Sequence, residues 1–66
     1  SIADYNLYIY DRWGGVVWST HNFEIHWDGT DKSGNPVNSG TYIYQIVGTD
    51  YLKQGINYQG TVTVIR

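Results

Sequence analysis

The chain has no cysteine and no methionine, a single proline, and only four basic and six acidic residues among 66. Without cysteine there is no disulfide and no thiolate zinc site, the two devices that small folds most often add to a thin core. A chain of this length makes one small domain, burying only about 60% of the surface its unfolded form exposes. The basic residues Arg12, Lys32, Lys53 and Arg66 lie far apart and the net charge is −2. No basic stripe is available to track a nucleic-acid backbone. No apolar run approaches the roughly 18 residues of a membrane-spanning helix. Ser1-Ile2-Ala3-Asp4 has neither the basic nor the apolar region of a signal peptide, so a secreted parent would carry its export signal upstream. Helical periodicity, internal repeats and low-complexity tracts are also missing.

What is abundant is aromatic: one Phe, three Trp and seven Tyr, each able to bury roughly 150–250 Å². Aromatic packing is therefore expected to stand in for staples. Alternation bounded by turn residues, the strand signature, recurs along the chain. Residues 5–10 place Leu7 and Ile9 on one face and Tyr8 and Tyr10 on the other, and Arg12-Trp13-Gly14-Gly15 reads as the following turn. Val16-Val17-Trp18 starts a second strand, and residues 23–27 alternate Phe23, Ile25 and Trp27 against Glu24 and His26 as a third. Residues 28–40 are rich in turn formers and read as a loop around a tight turn at Lys32-Ser33-Gly34-Asn35. Residues 41–49 and 56–65 form two long strands joined near Lys53-Gln54-Gly55 as a hairpin.

Five short strands predict an all-β fold, a small antiparallel immunoglobulin-like β-sandwich. Gly40-x-Tyr42-x-Tyr44 has the spacing of a tyrosine corner, in which a Tyr hydroxyl bonds back to upstream backbone; Tyr42 is the expected corner residue and Tyr44 the inward one. Five strands are fewer than the seven of a complete sandwich.

Catalytic and metal chemistry find little support. His21 and His26 are the only histidines, with no third ligand placed by sequence. Ser19, His21 and Asp28 can be assembled into a triad on paper, but no nucleophile elbow surrounds Ser19. Trp27-Asp28-Gly29-Thr30-Asp31 with Asn35 offers oxygen ligands but lacks the dense Asp spacing of a calcium loop. The expectation is a non-enzyme without cofactor, metal or small-molecule substrate.

Four signatures run along the chain in order: Asp11-Arg12-Trp13-Gly14, Trp27-Asp28-Gly29-Thr30, Ser39-Gly40-Thr41-Tyr42-Ile43-Tyr44, and a final segment from Tyr58-Gln59-Gly60 to Arg66. Together they resemble the gliding-motility-associated C-terminal domain, the type B sorting domain of the type IX secretion system of Bacteroidota. Domains of that type usually open with a segment rich in Asn, Asp and Gly and a further strand or two, which residues 1–4 do not match. Either this chain is the C-terminal part of that domain or the N-terminal strands come from another segment. Residues 1–66 are then one sorting domain at the end of a longer secreted protein, and a strand that stops at Arg66 with no tail looks like a natural C-terminus.

The resemblance implies a C-terminal signal that carries a large cargo, such as a surface adhesin, across the outer membrane. Its partners would be the type IX translocon and an outer-membrane protein of the PorP-SprF family, and its destination the cell surface or medium by way of the periplasm. Candidate recognition residues are Arg12, Trp13, Gly14, Trp27, Asp28, Gly29, Gly40, Tyr42, Gly60 and Arg66. An arginine beside a tryptophan can stack on its ring, and a sheet can present a rigid face or a free edge to a partner. The alternative is a carbohydrate-binding β-sandwich module with Tyr8, Tyr10 and Trp18 as a stacking platform. An immunoglobulin-like insert of flagellar hook-capping proteins shares the Trp-Asp-Gly to Gly-x-Tyr stretch, but the segment from Gly60 to Arg66 argues against it. Oligomeric state is left open, since an incomplete sandwich could complete itself with a second copy.

Overall fold

The computed structural model describes residues 4–66; residues 1–3, part of the segment where the resemblance calls for an Asn-, Asp- and Gly-rich opening, lie outside them. Four antiparallel strands form one sheet: β1 (Asn6–Tyr10), β2 (Val16–Thr20), β3 (Gly40–Thr49) and β4 (Gly55–Val64), in the order β2-β1-β3-β4. The all-β, antiparallel expectation holds, and both long strands pair as the expected hairpin over ten residues each.

Three connections use one device. At 11–15, 31–35 and 50–54 an aspartate opens the turn and its Oδ1 accepts the backbone N–H groups two and four residues on. For Asp11 these are Trp13 and Gly15, for Asp31 Ser33 and Asn35, and for Asp50 Leu52 and Gln54, at 2.9–3.0 Å. The aspartate N–H donates to the carbonyl four residues on, and its carbonyl accepts from the residue three on. That residue takes a left-handed φ: +85° at Gly14, +86° at Gly34 and +62° at Lys53. This is the three-residue hairpin loop, whose left-handed position favours glycine.

Lys53 therefore occupies a position that costs an L-residue free energy. Replacing it with glycine is expected to stabilise the domain by about 0.5–1 kcal/mol, after the glycine's own entropy cost. That is a rise in Tm of roughly 2–8 °C, readable by thermal melting. An unchanged or lower Tm would show that Lys53 is unstrained.

The register sorts the sheet into two faces. Ile9 lies opposite Trp18 on one side and Tyr44 on the other, and Tyr44 lies opposite Gly60. Leu7, Ile9, Trp18, Tyr42, Tyr44, Ile46, Tyr58 and Val62 thus share an apolar face. The other face carries Tyr8, Tyr10, Gln45, Asn57 and Gln59, where the Tyr10 hydroxyl donates to Gln45 Oε1 at 2.9 Å.

The expected third strand at 23–27 does not form. The Thr20 hydroxyl accepts the Asn22 N–H, the Asn22 side chain accepts the Glu24 N–H, and the Asn22 carbonyl accepts the Ile25 N–H. These local bonds satisfy the backbone without a ladder and turn the chain off an extended path. The segment instead packs on the apolar face: Phe23 stacks on Tyr5 at 6.4 Å, and Trp27 meets Tyr42 edge-on at 5.6 Å. The second layer of this small sandwich-like fold is therefore a loop layer.

That layer is thin. Among the described residues only Ile9, 2% exposed, is a buried hydrophobic. The accessible surface of 4828 Å² exceeds the roughly 4,300 Å² of a compact chain this size. Packing energy is concentrated where rings lie on the sheet, at Tyr44 and at the Trp27–Tyr42 contact.

Candidate functional site

The connectivity gathers nine of the ten sequence-predicted residues at one end of the sheet. β1 ends and β2 begins there through the 11–15 turn, β3 starts there, and β4 finishes there, with Gly40 opposite Val64. Arg12, Trp13 and Gly14 sit in the turn; Trp27, Asp28 and Gly29 belong to the covering loop; Gly40 and Tyr42 open β3; Arg66 follows β4. Gly60 is the exception. It lies within β4 beneath the Tyr44 ring, where a Cβ would overlap the ring atoms. Its glycine is explained by that close approach and not by the site.

The corner forms as expected. The Tyr42 hydroxyl donates to the Asn38 carbonyl at 2.8 Å, four residues upstream. This bond ties the loop to β3 where the strand begins. The Trp27 indole N–H donates to the Thr30 carbonyl at 2.8 Å, which fixes the ring that packs against Tyr42.

Arg66 closes the arrangement from β4. Its Nε donates to the Val37 carbonyl at 2.7 Å, its Nη2 to the Gly29 carbonyl, and its backbone N–H to Ser39 Oγ at 3.1 Å. Charge-assisted bonds from a forked guanidinium to two carbonyls fasten 29–39 at both ends. Gly29 is buried with φ +84°, and a Cβ there would lie 2.9 Å from Arg66 Nη2. Both its left-handed backbone and the approach of the guanidinium require glycine. Arg66 thus acts as a clip through its head group, a role its sequence position does not disclose because its acceptors are main-chain oxygens.

Asp28 is exposed beside this clip. The Thr30 hydroxyl donates to Asp28 Oδ1 at 2.6 Å. That bond foremost, with lesser help from the backbone N–H groups of Asp28 and Thr30 and from the Arg66 charge, outweighs the opposing effect of desolvation and holds the carboxyl below its ordinary range. The carboxylate is therefore ionised well into mild acid.

Trp13 is the outward feature. Its ring is 78% exposed, and the Arg12 guanidinium lies over it at 4.5 Å from the ring centre. The turn beneath is fixed by the two N–H bonds to Asp11. Between this turn and the start of β3 lies a crevice of about 130 Å³, lined by Asp11, Arg12, Trp13, Asn38, Gly40 and Tyr42. A second, more open crevice runs from Trp13 and Val17 to Pro36 and Val37. Val37 and Asn38 are not among the residues the sequence singles out, whereas Ser39 opens the Ser39-Gly40-Thr41-Tyr42 signature; the polar residue just before that signature is the signal that could have marked Asn38.

The remaining candidates scatter. Tyr8 and Tyr10 share the polar face, 6.1 Å apart and tilted by 33°, while Trp18 lies opposite Ile9 on the other face. The three rings do not form one platform. His21 and His26 are both exposed, and among the described residues no three of His, Asp and Glu converge to hold a metal.

The family model of the CHU_C type IX secretion signal domain matches residues 1–64. The chain belongs to that family of type IX secretion signal domains, a family of sorting signals and not of catalysts. Neither a curated protein nor a solved structure matches it.

Proposed function

We propose that this domain is the address of a larger secreted protein, a cell-surface adhesin, and that the translocon reads it at the strand ends. Trp13 carries the proposal: a large ring held almost fully in water, on a turn whose backbone is pinned, with a guanidinium stacked over it. Exposing such a ring has no folding benefit, and Trp, Tyr and Arg dominate binding hot spots. Preorganisation by the Asp11 turn lowers the ordering cost of binding. The type IX translocon, with an outer-membrane protein of the PorP-SprF family, is the partner. The cargo passes through the periplasm and ends on the cell surface or in the medium. Arg66, Gly29, Trp27 and Tyr42 act in this reading by holding the surface in shape, and Asp28 contributes its exposed charge.

The experiment is export of a reporter fused to residues 1–66 and carrying Arg12→Ala with Trp13→Ala. Both side chains are exposed, so the variant should melt within about 1 kcal/mol of the parent. Loss of a hot spot worth about 2 kcal/mol corresponds to roughly 30-fold weaker recognition, and export should fall accordingly. Undiminished export of the folded double variant would place the recognition surface elsewhere.

A further inference from the structure

Strand β4 forms one margin of the sheet. It pairs with β3 alone, and among the described residues no strand lies along its other side. Exposed edges are ordinarily blunted by shortness, bulges, proline or charge. The opposite margin follows that rule, since β2 is five residues long and its pairing with β1 carries a register shift. β4 does not. It runs ten residues in unbroken register from Gly55 to Val64 with no proline and no charged side chain.

We infer that this edge pairs antiparallel with β4 of a second copy, about a two-fold axis at Gly60. The strand is self-complementary in that register. Tyr58 would stand opposite the second copy's Val62 and Ile56 opposite its Val64, extending the apolar face across both sheets. Asn57 would stand opposite Thr63 and Gln59 opposite Thr61, extending the polar face. Aromatic with β-branched and amide with hydroxyl are favourable cross-strand pairs. A shift by one residue would turn the apolar face of one copy to the polar side of the other. Tyr58, 62% exposed in the single chain, gains cover, and no charge on either strand opposes the approach. The contact is isologous and closes on itself. This inference is independent of the export reading.

Pairing along a single strand edge belongs with the small, transient contacts below roughly 1,200 Å², so a dissociation constant of about 10–100 µM is expected. Sedimentation equilibrium of the purified 66-residue chain over roughly 10 µM to 1 mM spans that range. The parent is expected to pass from monomer to dimer. Gln59→Lys with Thr61→Lys, both at exposed positions, sets like charges opposite each other twice and should weaken dimerisation at least tenfold. Gln59→Lys with Thr61→Glu sets opposite charges there and should restore it. Melting curves establish that each variant is folded. A parent that stays monomeric throughout, or a Lys/Lys variant that dimerises like the parent, would overturn the inference. So would a Lys/Glu variant as weak as the Lys/Lys one, which would refute the register.

Discussion

Gly60→Ala is expected to destabilise the domain by about 2–3 kcal/mol and lower its Tm by roughly 10–20 °C. The sign is informative, because alanine within a strand ordinarily stabilises relative to glycine by about 0.5–1 kcal/mol. Here the added Cβ would lie 2.5 Å from Tyr44 Cε2 and Cζ. Tyr44 cannot yield without loss, since it lies between Gly60 and Ile9, the one buried hydrophobic among the described residues. Moving the ring uncovers the best-packed part of the apolar face. Pairing Gly60→Ala with Tyr44→Ala removes the overlap, so the double variant should be more stable than the sum of the single losses by about 1–2 kcal/mol. Thermal and denaturant melts of the four proteins read this directly. A single variant as stable as the parent would show that Tyr44 does not rest on β4 as described.

Arg66→Ala removes the two guanidinium bonds to Gly29 and Val37 and leaves the backbone bond to Ser39. Bonds of this charged kind are worth about 1.5–3 kcal/mol each when shielded. Arg66 is exposed, so a loss of about 2 kcal/mol for both together is expected, well below the sum for two shielded bonds. The loss should be local. Amide exchange at 27–39 should accelerate by one to two orders of magnitude, roughly what 2 kcal/mol allows, while β1 and the centre of β3 stay protected. Arg66→Lys should recover less than half, because one ammonium cannot reach both carbonyls in the guanidinium's geometry. Uniform acceleration across the sheet, or none, would contradict the clip. Since 29–39 borders the Trp13 crevices, the same variant should also export poorly.

The elements legible in the sequence are those whose physics is local. The β-branched and aromatic content of 41–49 and 56–65 marks the hairpin, and the glycines of Arg12-Trp13-Gly14-Gly15 and Lys32-Ser33-Gly34-Asn35 mark two of the three turns. The third, at 50–54, was placed two to three residues late because its left-handed position holds Lys53 in place of glycine. The tyrosine corner was legible from Gly40-x-Tyr42 alone. Residues 23–27 were not, since their alternation is that of a strand while Asn22 draws the backbone into a turn. The gathering of Arg12, Trp13, Trp27, Tyr42 and Arg66 at one end follows from strand order, which alternation does not encode. Gly60 was grouped with them by motif, although its neighbour is Tyr44.

The domain's role rests on one comparison in living cells. A fluorescent reporter with its own inner-membrane export signal, fused to residues 1–66, is expressed in a gliding bacterium with and without an intact type IX translocon. The reporter is expected at the cell surface or in the medium only when the translocon is intact, and in the periplasm otherwise. A folded, undegraded fusion held in the periplasm of both strains would contradict the account.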